Sequence, residues 1–254
     1  MRIIAIANHK GGSGKTTTAV NLAAALADRG RRVLLFDLDP QASASHWLGA
    51  PEDTAGAAEL LTDGVGLDGV VHPTRWPGVE LVPASGALAR AEKYLARELG
   101  AEVVLRRILE RVHAPSWQYA VIDCPPALGL LTLNALVAAR EVLVPVEAHV
   151  MALRGLAQLM GTLDLVRERL NPDLELTGIL ACRVDGRTRH AHEVVQELVS
   201  RFGERVYRSA IRENVRLAEA PSFAQPIMQY DARSAGAADY GALAEEVIQQ
   251  ERRR

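Results

Sequence analysis

Of the 29 basic residues in the chain only three are lysines, and two of these, Lys10 and Lys15, bracket the glycines of the segment NHKGGSGKTT at residues 8–17. A chain that meets almost every other need for positive charge with arginine keeps ammonium groups here. An ammonium is a compact point charge where a guanidinium is a broad planar fork. Glycines let a backbone curl around an anion without Cβ clashes, and a loop that runs into a helix aims free N–H groups at that anion. Gly11, Gly12, Ser13 and Gly14 supply such a loop. Lys15 can reach the β- and γ-phosphates of a nucleotide, and the Thr16 hydroxyl can ligate magnesium as a helix opens at Thr16 or Thr17. The usual G-x-x-x-x-G-K-[ST] pattern fails at its first position, where His9 stands. A phosphate cradle is the expectation, and an ordinary strand-to-helix turn is the alternative.

Two further runs end in carboxylates. VLLFDLDPQ at 33–41 carries Asp37 and Asp39, and YAVIDC at 119–124 carries Asp123. Both runs are apolar enough for buried strands, and acids at the carboxyl ends of such strands stand where open α/β sheets collect ligands. Strand alternation is expected to put Asp37 and Asp39 on one face. Asp123 is expected to hold magnesium through a water, as a Walker B aspartate does. Cys124 and Cys182 have neither C-x-x-C spacing nor neighbouring histidines, so buried small residues are expected rather than a disulfide or a zinc site.

The elements that must position these groups alternate along the chain. Short apolar runs at 3–7, 32–39, 79–84, 119–124, 141–148, 174–182 and 205–211 are separated by stretches whose apolar residues recur at three and four. The pattern implies repeated βαβ units: an α/β fold with a mainly parallel central sheet flanked by helices on both faces, and residues 1–254 as one domain. Helices are expected from Thr16 to a stop at Gly30, and near 88–112, 128–139, 151–170, 190–202 and 236–251. Residues 51–78, with scattered Gly, Pro and Asp, read as an irregular excursion holding one short helix. The composition, 48% hydrophobic and 24% charged, suits a sizeable core, and the net charge of −2 does not announce a nucleic-acid binder. Neither a secretion signal nor a membrane span is expected, which places the chain in the cytoplasm.

The loop K-G-G-x-G-K-[ST] at residues 10–16 resembles that of the deviant P-loop ATPases, and with it the chain resembles the ParA/Soj chromosome and plasmid partition ATPases, relatives of the cell-division positioner MinD. VLLFDLDPQ, VIDCPPALGLLTLNAL at 121–136, NVRLAEAPSFAQPI at 214–227 and YDARSAGA at 230–237 resemble further motifs of that family, so that nearly the whole chain is covered outside roughly 50–115. The resemblance implies ATP with Mg2+, adenine being preferred because no N-K-x-D guanine motif is present. It implies a homodimer that sandwiches ATP, with Lys10 reaching the partner's phosphates, Asp39 orienting the attacking water and Asp37 helping to hold the phosphate and magnesium environment. Pro125 and Pro126 would stiffen the switch that senses the γ-phosphate. Lys10, Lys15 and Asp39 would then carry a slow, partner-stimulated ATP hydrolysis. The ATP dimer would bind double-stranded DNA nonspecifically on the nucleoid, with a ParB-like centromere-binding protein as partner and no membrane.

From Arg183 to Arg216 the chain carries eight arginines against five acids, a local excess in a protein that is acidic overall. Such clustering is the electrostatic footprint of a phosphate-backbone surface. Arg187 and Arg216 occupy positions the resemblance implies for DNA contact, and Arg189 and Arg233 join them on charge alone; arginines on solvated helix faces are the plain alternative. The chain also departs from the family. IPRN reads IREN here, which puts Arg212 and Glu213 at the wall against which adenine would pack, and HVMALRG at 149–155 brings His149 and Arg154 to the expected dimer interface. No helix-turn-helix precedes the first strand, so operator-specific repression is not expected. Leu243, Val247 and Ile248 read as a helix docked on the core with a basic end rather than as a membrane anchor. The rival readings are a MinD-like membrane positioner, which needs such an anchor, an iron–sulfur reductase, which needs cluster cysteines, and a nucleotide-gated DNA scaffold with negligible turnover.

Overall fold

In the computed structural model, which describes residues 1–51, 54–112 and 116–251 and omits the side chains of 150–154, the described strands join in one eight-stranded sheet. The first half of the chain runs β1 (Arg2–Ile6), α1 (Lys15–Ala27), β2 (Val33–Asp37), α2 (Ser43–Trp47), α3 (Ala57–Thr62), β3 (His72–Pro73), β4 (Val79–Val82), α4 (Ala87–Leu95), α5 (Val104–Glu110) and β5 (Tyr119–Asp123). The second half runs α6 (Leu130–Ala138), β6 (Glu141–Glu147), α7 (Val150–Arg169), β7 (Glu175–Val184), α8 (Arg189–Phe202), β8 (Val206–Arg212), α9 (Val215–Glu219), α10 (Ile227–Tyr230) and α11 (Ala235–Glu251). The order across the sheet is β3-β4-β2-β5-β1-β6-β7-β8, and every neighbouring pair is parallel except β3 with β4.

The central strands are apolar throughout because both faces are covered. Along β2 and β1 the side chains divide by alternation. Leu34, Phe36 and Ala5 join the core built with α3 to α7, while Val33, Leu35, Ile4 and Ile6 join the core built with α1 and α11. This is the α/β architecture expected, with helices on both faces. Leu243 and Val247 of α11 are fully buried and Ile248 packs beside them, as the sequence implied; the basic end at 252–254 lies outside the described residues. Among the described residues no helix is long and apolar enough to cross a membrane.

The structure departs from expectation where elements are short. The helix anticipated near 88–112 is two, because Gly100 takes φ +73° between α4 and a 3-10 turn at Ala101–Val103. The excursion at 51–78 holds the one short α-helix expected, α3, together with a 3-10 turn and the two-residue antiparallel β3. Neither β3 nor α2, α9 and α10, of five, five and four residues, was anticipated.

At the β6–β7 pairing the register slips between Val142 and Leu143, and the neighbouring Gly178 lies under the ring of Tyr207 on β8. A Cβ at Gly178 would stand 1.8 Å from Tyr207 Cε2. Gly178→Ala is therefore expected to destabilise the protein by about 1–3 kcal/mol through overpacking, read as a lowered midpoint in thermal or urea unfolding.

Candidate functional site

β1 lies between β5 and β6, and the chain leaves it toward β2 on one side before returning to β6 on the other. Its carboxyl end is thus a switch point, where crossovers diverge and leave a crevice. The glycine loop fills this place. Gly12 and Gly14 adopt φ +74° and +90°, values that glycine takes without strain. Gly14 caps α1 with no side-chain hydrogen bond, so the first-turn N–H groups are left to face a ligand. Two neighbours hold the loop. Asn8 Nδ2 donates to the Pro145 carbonyl of β6 (2.7 Å), while Asn8 Oδ1 accepts the Lys10 N–H (3.1 Å). His9 packs against Gly155 of α7, where a Cβ would lie 2.4 Å from His9 Cε1. The residue that breaks the usual pattern is thus a packing contact between loop and helix.

The two lysines are used differently. Lys15 is buried, with 7% of its surface exposed, and its ammonium donates to the Lys10 carbonyl (3.3 Å) across the loop. Burial pulls its pKa down, against the pull of Asp123, Cys124 and Asp39. Lys10 turns its ammonium to Glu147 Oε2 at the end of β6 (2.9 Å), and the other oxygen of Glu147 pairs with Arg183 Nη1 (3.3 Å). The Lys10 hydrogen bond, with the nearby charges of Arg183 and His149, holds Glu147 below the usual carboxylate range. Arg183 sits at a register slip of β7 with φ +52°, the left-handed region, and lines the same cleft.

That cleft has a volume of about 750 Å³, a size suited to a small-molecule ligand. Gly11, Gly12 and Gly14 line it from the loop after β1, Lys15, Thr16 and Thr17 from the start of α1, Asp39 and Gln41 from the turn after β2, and Cys182 and Arg183 from β7. The end of β8 and the turn into α9 close it with residues 211–215. Ser13 stands apart from its loop neighbours: its hydroxyl is buried and has no partner among the described residues.

The carboxylates separate. β2 ends at Asp37, so alternation does not carry on to Asp39, and the expectation that both share one face is corrected. Asp39 lines the cleft, with Oδ1 accepting the Gln41 N–H (2.9 Å). Asp37 is wholly buried and faces α2, its oxygens accepting from the Ser45 hydroxyl (2.7 Å), the Ser45 N–H (2.8 Å) and the Asp39 N–H (3.1 Å). Burial nevertheless pushes its pKa up to about 6. Asp123, opposite Asp37 in the β2–β5 register, is also wholly buried, and neither of its oxygens has a hydrogen-bond partner among the described residues. Burial and the charge of Asp37 push its pKa well up, opposed by the Thr16 hydroxyl and the Lys15 ammonium. An orphaned buried carboxylate beside a threonine hydroxyl fits a magnesium ion held chiefly by ligand oxygens and water. Cys124 and Cys182 are free and buried, as expected, and burial pushes the Cys182 thiol up to about 12.

The four arginines singled out for DNA are all exposed. Arg187 lies in the turn after β7 and makes a two-pronged pair with Asp185 (2.9 and 3.0 Å); Arg189 opens α8 and pairs with Glu193 (2.8 Å). Arg216 on α9 pairs with Glu219 (2.9 Å) and reaches Asp231 (3.7 Å), whose other oxygen accepts the Arg233 N–H. Arg187 and Arg216 thus follow the carboxyl ends of adjacent strands, and Arg216 and Arg233 flank one aspartate. Sequence reasoning did not find Asn8, Glu147, Ser45 or Asp239, the last of which clamps Arg212 by two prongs. His149 is exposed, with its ring edge-on to His190 at 6.0 Å; the side chain of Arg154 lies outside the described residues.

A family model described as an AAA domain matches residues 1–176. The chromosome partitioning protein ParA of Myxococcus xanthus is 46% identical over 252 residues, which is 98% of this chain and 89% of that protein. The chromosome-partitioning ATPase Soj of Thermus thermophilus is 49% identical over 248 residues, 98% of this chain and 96% of that one. Among solved structures, one described as cobyrinic acid a,c-diamide synthase from Mycobacterium smegmatis with bound ATP analog and magnesium is 35% identical. It covers 99% of this chain and 96% of its own, with a TM-score of 0.87.

Because the folded-state pKa values of Asp37 and Asp123 lie above those of free carboxylates, the ligand-free folded chain holds protons that the unfolded chain has released. Their stabilising contribution is full below about pH 4 and is lost as the pH rises, for Asp37 through about pH 6. In Asp37→Asn the fall in unfolding free energy across that window should shrink by about 1–3 kcal/mol. Urea unfolding at a series of pH values measures it, and an unchanged slope would mean that Asp37 ionises as freely as in water.

Proposed function

The chain belongs to the ParA/Soj family of chromosome-partitioning ATPases, and from that premise we propose that residues 1–254 act as one DNA-partition switch driven by Mg-ATP. The observation that carries the reading is the division of labour between the two lysines. Lys15 is sunk into its own loop, while the Lys10 ammonium stands away from that cradle on Glu147, available to a second copy. In this reading ATP lies in the cleft with its phosphates on Gly11–Thr17, held by backbone N–H groups, Ser13 and Lys15. Thr16 and, through a water, Asp123 would hold magnesium, which when bound neutralises charge on the phosphates. Asp37 keeps the Asp123 region electronegative from the next strand.

Two copies close on the nucleotide, and Lys10 exchanges Glu147 for the partner's phosphates. Asp39, with Oδ1 fixed by Gln41, orients the water that attacks the γ-phosphate. Phosphoryl transfer of this kind depends on positioning and charge neutralisation, so a site completed only in the dimer hydrolyses slowly until a partner improves its geometry. The partner is a ParB-like centromere-binding protein. While ATP is intact, the two basic surfaces around Arg187, Arg189, Arg216 and Arg233 act together on double-stranded DNA without reading its sequence, which holds the dimer on the nucleoid in the cytoplasm. Hydrolysis ends that hold.

Lys10→Ala is expected to bind ATP as a monomer and to fail to dimerise, measured by light scattering with and without ATP. Normal dimerisation of that variant would remove the trans role of Lys10.

Asp39→Ala should dimerise with ATP, persist, and hold nonspecific DNA longer than the unaltered protein. Arg216→Ala should dimerise and hydrolyse ATP basally but lose DNA, with a salt slope reduced by about one. DNA-binding titrations at several salt concentrations, with ATP, with ADP and without nucleotide, check both. If Asp39→Ala binds DNA no better than the ADP form does, the hydrolysis-timed switch fails.

A further inference from the structure

α4 has a face that neither the core nor the cleft uses. Leu88, Ala91 and Leu95 turn inward and join the core, where α4 packs on α3 and α6. Arg90, Lys93 and Tyr94 are exposed, and so is Arg97 in the turn that prolongs the helix, its N–H donating to the Tyr94 carbonyl (3.1 Å). Residues three, four and seven apart share one side of a helix, so these four form a stripe. Lys93 is the third of the three lysines, the one that the glycine loop does not contain.

Among the described residues no ion pair or side-chain hydrogen bond engages Arg90, Lys93 or Arg97. By contrast Arg187, Arg189 and Arg216 each have an acid of their own chain. Apolar surface accompanies the bare cations: Tyr94 is 55% exposed, and Leu99 just beyond is fully so. Tyrosine and arginine are the usual anchors of protein interfaces, and unmatched charge selects the partner by its opposite sign.

The two other anionic partners fit less well. Duplex DNA offers phosphates but little apolar surface to Tyr94 and Leu99. The DNA arginines of the turns after β7 and β8 also lie five and six places from β4 in the sheet order, roughly 25 Å away at the usual strand spacing. A lipid surface needs a helix with a free apolar face to insert, and that face of α4 is spent on the core. An acidic protein segment with apolar side chains matches both the charge and the exposed carbon. The location adds consequence, because Glu92 of the same helix accepts the Leu131 N–H (3.4 Å) at the start of α6, beside the segment that leads from Asp123.

We propose that the α4 stripe of Arg90, Lys93, Tyr94 and Arg97 is a docking surface for an acidic, apolar-studded segment of a partner protein.

The test measures binding of a labelled synthetic peptide of glutamate with leucine at every third and fourth position to the purified full chain, over a range of salt concentrations. The unaltered protein should bind it, more weakly as salt rises. Joint Lys93→Glu and Arg97→Glu substitution should weaken binding at least ten-fold, and Tyr94→Ala about ten-fold, as for loss of an interface anchor. Lys93→Gln, which only removes a charge, should cost about three-fold, and unchanged thermal midpoints would show that these exposed changes leave the fold intact. Arg216→Ala should bind the peptide as the unaltered protein does. Failure of the unaltered protein to bind the peptide would overturn the proposal, as would equal losses in Arg216→Ala and the charge-reversed variant. So would a charge-reversed variant that keeps the peptide but loses duplex DNA or phosphatidylglycerol vesicles, since the stripe would then serve one of those instead.

Discussion

Two carboxyl groups stand side by side in register, Asp37 on β2 and Asp123 on β5, both shut away from water at the carboxyl edge of the sheet. Placing like charges together in a low-dielectric interior is costly unless something compensates. Asp37 is compensated by three hydrogen bonds from α2 and its entry turn. Asp123 is not, and what faces it is the Thr16 hydroxyl and the Lys15 ammonium at the start of α1. The glycine loop, the bare N-terminus of α1 and the buried lysine all converge on this uncompensated acid. A cation supplied from outside would complete the arrangement, while one hydrophobic core lies on each face of the sheet.

The chemistry of the loop was legible because it is local. Glycines, two lysines and a threonine within ten residues define a cradle whatever the remainder of the chain does. The sheet was legible too, since strands covered on both faces read as unbroken apolar runs. Legibility ended where short elements or distant partners decide the outcome. Strand alternation misjudged Asp37 and Asp39 because β2 stops between them. The helix near 88–112 was read as continuous although Gly100, which divides it, was in plain view. Helices of four or five residues are too short for a period of 3.6 to declare itself. The partner of Lys10 lies 137 residues away, and the partner of Arg212 lies on another element 27 residues later. No spacing rule reaches that far.

The arginines of the proposed DNA surface are less free than their exposure implies. Arg187, Arg189 and Arg216 each carry an acidic neighbour in their own chain. Pairs this exposed are screened by water and worth little, so a phosphate that displaces the carboxylate meets slight resistance. The acids therefore leave the arginines usable while keeping the lone protein from presenting a uniform basic field. This agrees with a chain whose total charge is slightly negative although residues 183–216 carry a local excess of arginine.

Glu147, at the end of β6, is shared by Lys10 and Arg183. In the proposed dimer, this sharing would give Lys10 an acid to leave and the same acid to return to. When Lys10 departs for another anion, Glu147 keeps Arg183, so no bare acid is left behind; when that anion goes, Lys10 has a partner to return to. Joining two copies in the proposed dimer would trade one ionic neighbour of Lys10 for another. An exchange of that kind would be sensitive to the presence or absence of a single phosphoryl group.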